Sequence, residues 1–103
     1  MELSLNELKS LISQETTQPL AENGSLQIVV IDQGFVVVGY YHQSGNTITL
    51  TDAKTIRRWG TTHGLGQLAF NGPTAETVLD IEGTVATHLN AVIKVIQCNP
   101  SNW

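Results

Sequence analysis

The sequence predicts an α+β domain: an N-terminal helix, an antiparallel β-meander, a short internal helix and a closing set of C-terminal strands. Three observations predict it. Apolar residues near the N-terminus recur at helical spacing. From Leu26 onward they form short β-branched runs bounded by turn residues. Glycines then bracket one helix-like stretch in the middle of those runs.

The elements follow in order. Ser4-Leu5-Asn6-Glu7 has capping-box spacing, and Leu5, Leu8, Leu11 and Ile12 fall on one face, so a helix is expected over about 4–14. Glu15–Gly24, with Pro19 and Asn23-Gly24, reads as a loop. Leu26–Ile31 and Phe35–Tyr41 are apolar strands joined by Asp32-Gln33-Gly34, a hairpin connection. Ser44-Gly45-Asn46 makes a second turn into Thr47–Leu50, where Ile48 and Leu50 alternate with threonines. Asp52–Trp59 is readable as a short strand or as a bend. Leu65–Phe70 is the short helix, ended by Asn71-Gly72-Pro73. Thr77–Ile81 and Thr84–Leu89 read as two strands around a tight Glu82-Gly83 turn, and Ala91–Gln97 as the last strand.

A chain of 103 residues is one domain, divisible into a helix-and-loop extension (1–24), a β-rich core (25–98) and a tail (99–103). A domain of this size buries only roughly 60–70% of its unfolded surface, so added burial through self-association is inexpensive. Only 14% of residues are charged, against roughly 25% in typical soluble domains. That neutral surface suits a subunit interface, and a homo-oligomer is expected. A net charge of -4 argues against extended nucleic acid as a partner, since backbone binding relies on many basic side chains. The N-terminus lacks a signal-peptide pattern, and no apolar run approaches the ~20 residues of a membrane span, so the cytoplasm is the expected location.

The stretch Asp52-Ala53, Ile56-Arg57-Arg58-Trp59, Leu65-Gly66-Gln67-Leu68-Ala69 and Gly72, followed by Ile93-Lys94-Val95-Ile96-Gln97-Cys98, resembles a family of short uncharacterised phage and prophage proteins over about residues 28–98. The resemblance implies a phage-linked origin, hence a host cytoplasm, and a shared β-rich fold. It implies no reaction and transfers no catalytic residue.

The chemistry concentrates in one loop. Arg57 and Arg58 can grip phosphate, Trp59 can stack on a base or sugar, and Thr61, Thr62 and His63 can donate hydrogen bonds. If Gly64 opens the helix, its free N–H groups add an anion-binding end. These seven residues are the candidate ligand-binding set for a small anionic, nucleotide-like molecule. Each has a structural role open to it as well: Trp59 in the core, the arginines as a solvated pair, the glycines in turns. Neither the phosphate-loop pattern nor the dinucleotide fingerprint is present.

His42, His63 and His88 lack ligand spacing, so no metal and no cofactor is implied. Cys98 ends an apolar strand and reads as a buried, inert thiol. Asp80 and Glu82 share a strand face but sit beside Gly83, as in an exposed turn. Tyr40-Tyr41 puts one ring on each face of a strand, one for the core and one free to meet a ligand or partner. Trp103 is expected to be exposed unless it docks on a neighbour. The leading expectation is therefore a non-enzymatic, homo-oligomeric phage-type protein binding a small anionic ligand, a sponge for a host defence signal. The alternatives are a protein-interaction or structural module acting on a host protein, and an enzyme whose site is split between subunits.

Overall fold

The computed structural model describes residues 19–103. They form five strands, β1 (Leu26–Ile31), β2 (Phe35–Ser44), β3 (Thr47–Arg58), β4 (Val78–His88) and β5 (Val92–Gln97), and one helix, α1 (Leu65–Asn71). All neighbours are antiparallel, in the order β4-β3-β2-β1-β5. Four strands follow one another as a meander, and the fifth returns to the free side of the first.

The fold class is therefore corrected: the described chain is an antiparallel sheet with a single seven-residue helix, not an α+β domain. The helix expected over 4–14 lies outside the described residues. The physical reason is that the sheet buries both its faces with little helical cover. On one face Ile28, Val36, Val38 and Ile56 pack against Leu65, Leu68 and Ala69 of α1, and against Cys98. On the other, Val29, Val37, Tyr41, Ile48, Leu50 and Ala53 form a second cluster. Strands at opposite edges of the sheet, β4 with Val85 and β5 with Val92 and Val95, contribute to that same cluster. Residues of both edge strands thus pack against the margins of this cluster.

Bulges bend the strands. The segment Asp52–Trp59 continues β3, and its pairing slips between Leu50 and Ala53, where Asp52 adopts φ 51°. Gly39 lies opposite this slip, and a Cβ there would meet Leu50 Cβ at 3.0 Å and Ala53 Cα at 3.2 Å. Glu82-Gly83 is likewise not a turn between two strands. Gly83 sits inside the continuous β4 at φ 87°, paired with Ala53, so both strands bend at the same place.

Residues 99–103 pack against α1. Asn99 N donates to Ala69 O (2.9 Å), Asn102 Nδ2 to Phe70 O (2.7 Å) and the Trp103 indole Nε1 to Ala69 O (2.9 Å). The last turn of a helix leaves carbonyls without intrahelical partners, and this segment supplies donors to two of them. Trp103 is half-buried on its own chain's helix rather than exposed.

Candidate functional site

The structure brings the loop residues together and engages most of them with neighbouring side chains and backbone. Arg57 and Arg58 end β3. Arg57 Nε lies 2.8 Å from Asp80 Oδ2, with Nη2 donating to Oδ1 at 3.3 Å, and Arg58 Nη2 lies 3.6 Å from Glu76 Oε1. Both pairs are open to water, the arginine side chains being 67% and 66% exposed. Thr61 Oγ1 donates to Gly64 O at 3.0 Å, and the Gln67 Oε1 accepts from His63 N at 2.7 Å and from Thr62 Oγ1 at 3.3 Å. The Trp59 ring passes over Gly64, 3.9 Å from where a Cβ would stand. Gly60, at φ 69°, is pressed against the Glu76–Thr77 backbone, which would lie 2.5 Å from a Cβ. The hydroxyls of Thr74 and Thr77 close the corner by donating to Gly60 O (2.8 Å) and Trp59 O (2.7 Å). The polar groups of this loop hold the crossing from β3 to α1 and back to β4 in shape.

The other sequence candidates fall in separate places. Asp80 takes Arg57, and Glu82 Oε2 accepts from Thr55 Oγ1 at 2.9 Å, so the two carboxylates serve cross-strand partners rather than each other. His42 and His63 are exposed, and His88 Nδ1 accepts from Asn90 N (3.1 Å). Among the described residues no group of histidines, cysteines and carboxylates is placed to hold a metal ion. Cys98 is buried, and burial pushes its thiol up to about 12, well away from a reactive thiolate.

A second site is visible only in three dimensions. A cleft of about 350 Å³ opens on the α1 side of the sheet, between β2, β3 and β4 and the C-terminal turn. Leu26, Val38 and Leu79 form its apolar floor, with Pro73 at one side. Tyr40 and Trp103 supply two aromatic walls. Tyr40 is 40% exposed while Tyr41, on the opposite face, is fully buried, which divides the two rings between a site and the core. Asp52 and Lys54 also line the cleft. Among the described residues neither joins an ion pair, whereas both loop arginines do. The bulge at Asp52 shifts the strand's alternation by one residue. Leu50 and Ala53 therefore share the second core cluster while Ile56 and the Lys54 side of β3 turn toward α1.

Sequence reasoning found Tyr40 as a residue free to meet a ligand but missed Asp52, Lys54 and the role of Trp103. One signal was available. Apolar positions run even (Ile48, Leu50), then odd (Ala53), then even again (Ile56), a parity break that marks a bulge in a strand buried on both faces.

No helix among the described residues is long and apolar enough to cross a membrane. No curated protein matches the chain. The family pattern described as a domain of unknown function (DUF6948) matches residues 27–103, from the second residue of β1 through Trp103, and takes in the loop and all of the cleft's lining except Leu26. The chain belongs to this DUF6948 family.

Proposed function

We propose that the protein is a non-catalytic binding domain that takes a small ligand in the cleft between β2–β4 and the C-terminal turn. The observation that carries this reading is the cleft's composition: two aromatic rings, an apolar floor, and one carboxylate and one ammonium without partners among the described residues. Small-molecule sites combine an apolar lining with a few converging polar groups in this way. Burial of the lone thiol supports a binding role over nucleophilic chemistry. A fragment screen read by amide and indole NMR shifts tests it. Shifts are expected at Tyr40, Leu79 and the Trp103 indole, whose N–H is fixed on Ala69 O and so reports locally. A screen whose hits leave these resonances in place overturns the reading.

A second reading keeps the anionic, nucleotide-like ligand at Arg57, Arg58, Trp59, Thr61, Thr62, His63 and Gly64. Its support is the exposure of both arginines, whose surface ion pairs are weak enough for a phosphate to displace. Titration of nucleotides and cyclic nucleotides by calorimetry tests it, with Arg57→Ala and Arg58→Ala expected to remove any heat; a heat unchanged in both variants sinks it. With this reading go a homo-oligomer, a phage origin, residence in the host cytoplasm and a counter-defence role. The first of these is checked by light scattering, and the others by locating the gene and tagging its product in infected cells.

A further inference from the structure

Taking the cleft as a ligand site, we infer that its ligand is a zwitterion: a free α-amino acid with an aromatic or branched apolar side chain. Lys54 receives its carboxylate, Asp52 its ammonium, and Tyr40 and Trp103 flank its side chain over the floor of Leu26 and Leu79.

Asp52 and Lys54 stand two residues apart on β3 with the Asp52–Ala53 bulge between them. A regular strand would set such residues roughly 6–7 Å apart along its axis, and the bulge alters that spacing here. Neither is drawn into an ion pair with the other or with another described residue. They therefore line one cleft with opposite charges that are not paired to each other, which suits a molecule that carries an ammonium and a carboxylate on the same carbon. Asp52 is held in a left-handed backbone conformation (φ 51°) that aspartate tolerates better than most residues, with Gly39 packed opposite. Backbone strain of this kind persists where the surroundings impose it, and it clusters at binding sites.

Selectivity follows from the same pair. A ligand bearing only a carboxylate would satisfy Lys54 and strip water from Asp52 without replacing it; an amine would do the reverse. An uncharged ligand would leave both wanting. Asp52 is exposed and Lys54 half-buried, so an incomplete ligand forgoes one charged contact and partly desolvates the group it leaves bare, which makes it bind more weakly than the zwitterion. Size narrows the class further. At about 350 Å³ the cleft lies at the low end of the roughly 300–1,000 Å³ range of small-molecule sites, which suits a single amino acid rather than a peptide or a nucleotide. Tyr40 and Trp103 then favour a flat or branched apolar side chain over a polar one.

The test is calorimetry and NMR on the full chain with L-phenylalanine, L-tryptophan and L-leucine. These are compared with N-acetyl-L-phenylalanine, which lacks the ammonium, L-phenylalaninamide, which lacks the carboxylate, and indole, which lacks both. The free amino acids are expected to bind and to move the Trp103 indole resonance, with each blocked analogue at least tenfold weaker. Lys54→Met should weaken L-phenylalanine at least tenfold and leave L-phenylalaninamide unchanged. Asp52→Asn, an isosteric change compatible with the same backbone conformation, should do the converse with the N-acetyl compound. The comparison among ligands needs no variant, so it stands even if a variant folds poorly. Equal binding of blocked and free forms at the cleft overturns the zwitterion and leaves the cleft as a ligand site. Silence of Tyr40, Leu79 and Trp103 with every compound, indole included, overturns both.

Discussion

Gly72→Ala should be among the most damaging single substitutions in this protein, although it adds one methyl group. Gly72 follows α1 at φ 84° and ψ 176°, a region only glycine enters freely, and its N–H donates to Leu68 O at 2.8 Å. Forcing a side chain into that region costs about 1–3 kcal/mol. The new Cβ would also overlap the carbonyl oxygen of Asn102. That neighbour is backbone, so relief requires moving the C-terminal turn away from the helix. The move breaks the Asn102 Nδ2–Phe70 O and Trp103 Nε1–Ala69 O bonds, at about 1 kcal/mol each. Together the loss is about 4 kcal/mol, most of the margin of a small domain and a fall in Tm on the order of 15 °C. Urea unfolding followed by tryptophan fluorescence measures it. The mechanism is isolated by repeating the substitution in a chain ending at Ser101. Without the clash partner, only the backbone penalty remains, and the substitution should cost about 2 kcal/mol less. A loss under about 1 kcal/mol in the full chain, or the same loss in both chains, would refute the reasoning.

Three further outcomes are expected. Leu68→Ala empties a fully buried position between α1 and the sheet and should cost about 3 kcal/mol in the same urea assay; a loss below about 1 kcal/mol would mean that α1 is not packed as described. Arg57→Ala should change stability by less than about 1 kcal/mol, because its pair with Asp80 is well exposed to water, and a larger loss would assign this ion pair a structural weight its exposure does not give it. Cys98 should resist iodoacetamide at pH 8 until the chain unfolds. Its folded-state thiol is raised to about 12 from an ordinary 9.0, so the unfolded state binds fewer protons between those values. The contribution is complete below pH 9 and is lost as pH rises toward 12, with a slope of up to about 1.4 kcal/mol per pH unit. Burial raises the Tyr41 phenol as well and acts in the same direction. Cys98→Ala should flatten the alkaline slope, and an unchanged slope would count against a buried thiol.

The sequence by itself determined the local parts. Apolar, β-branched runs bounded by Asp32-Gln33-Gly34 and Gly45-Asn46 specify the first three strands, because hairpin turns and strand propensity are encoded within a few neighbouring residues. Gly64 and Gly72 bracket α1 for the same reason, and Cys98 is legible as an inert core residue from the apolar strand it ends. Tertiary structure alone decided the rest. Whether Glu82-Gly83 turns or continues depends on Ala53 across the sheet, and whether Asp52 belongs to a bend or a bulge depends on Gly39. The loop was legible as a concentration of polar groups, but the pairing of most of them with Asp80, Glu76, Gln67 and one another is a matter of contacts from 3 to 23 residues distant. The cleft was the least legible feature. It is assembled from β1, β2, β3 and β4 and the terminal tryptophan, and a site made by juxtaposing distant segments leaves no mark on the spacing of residues along the chain.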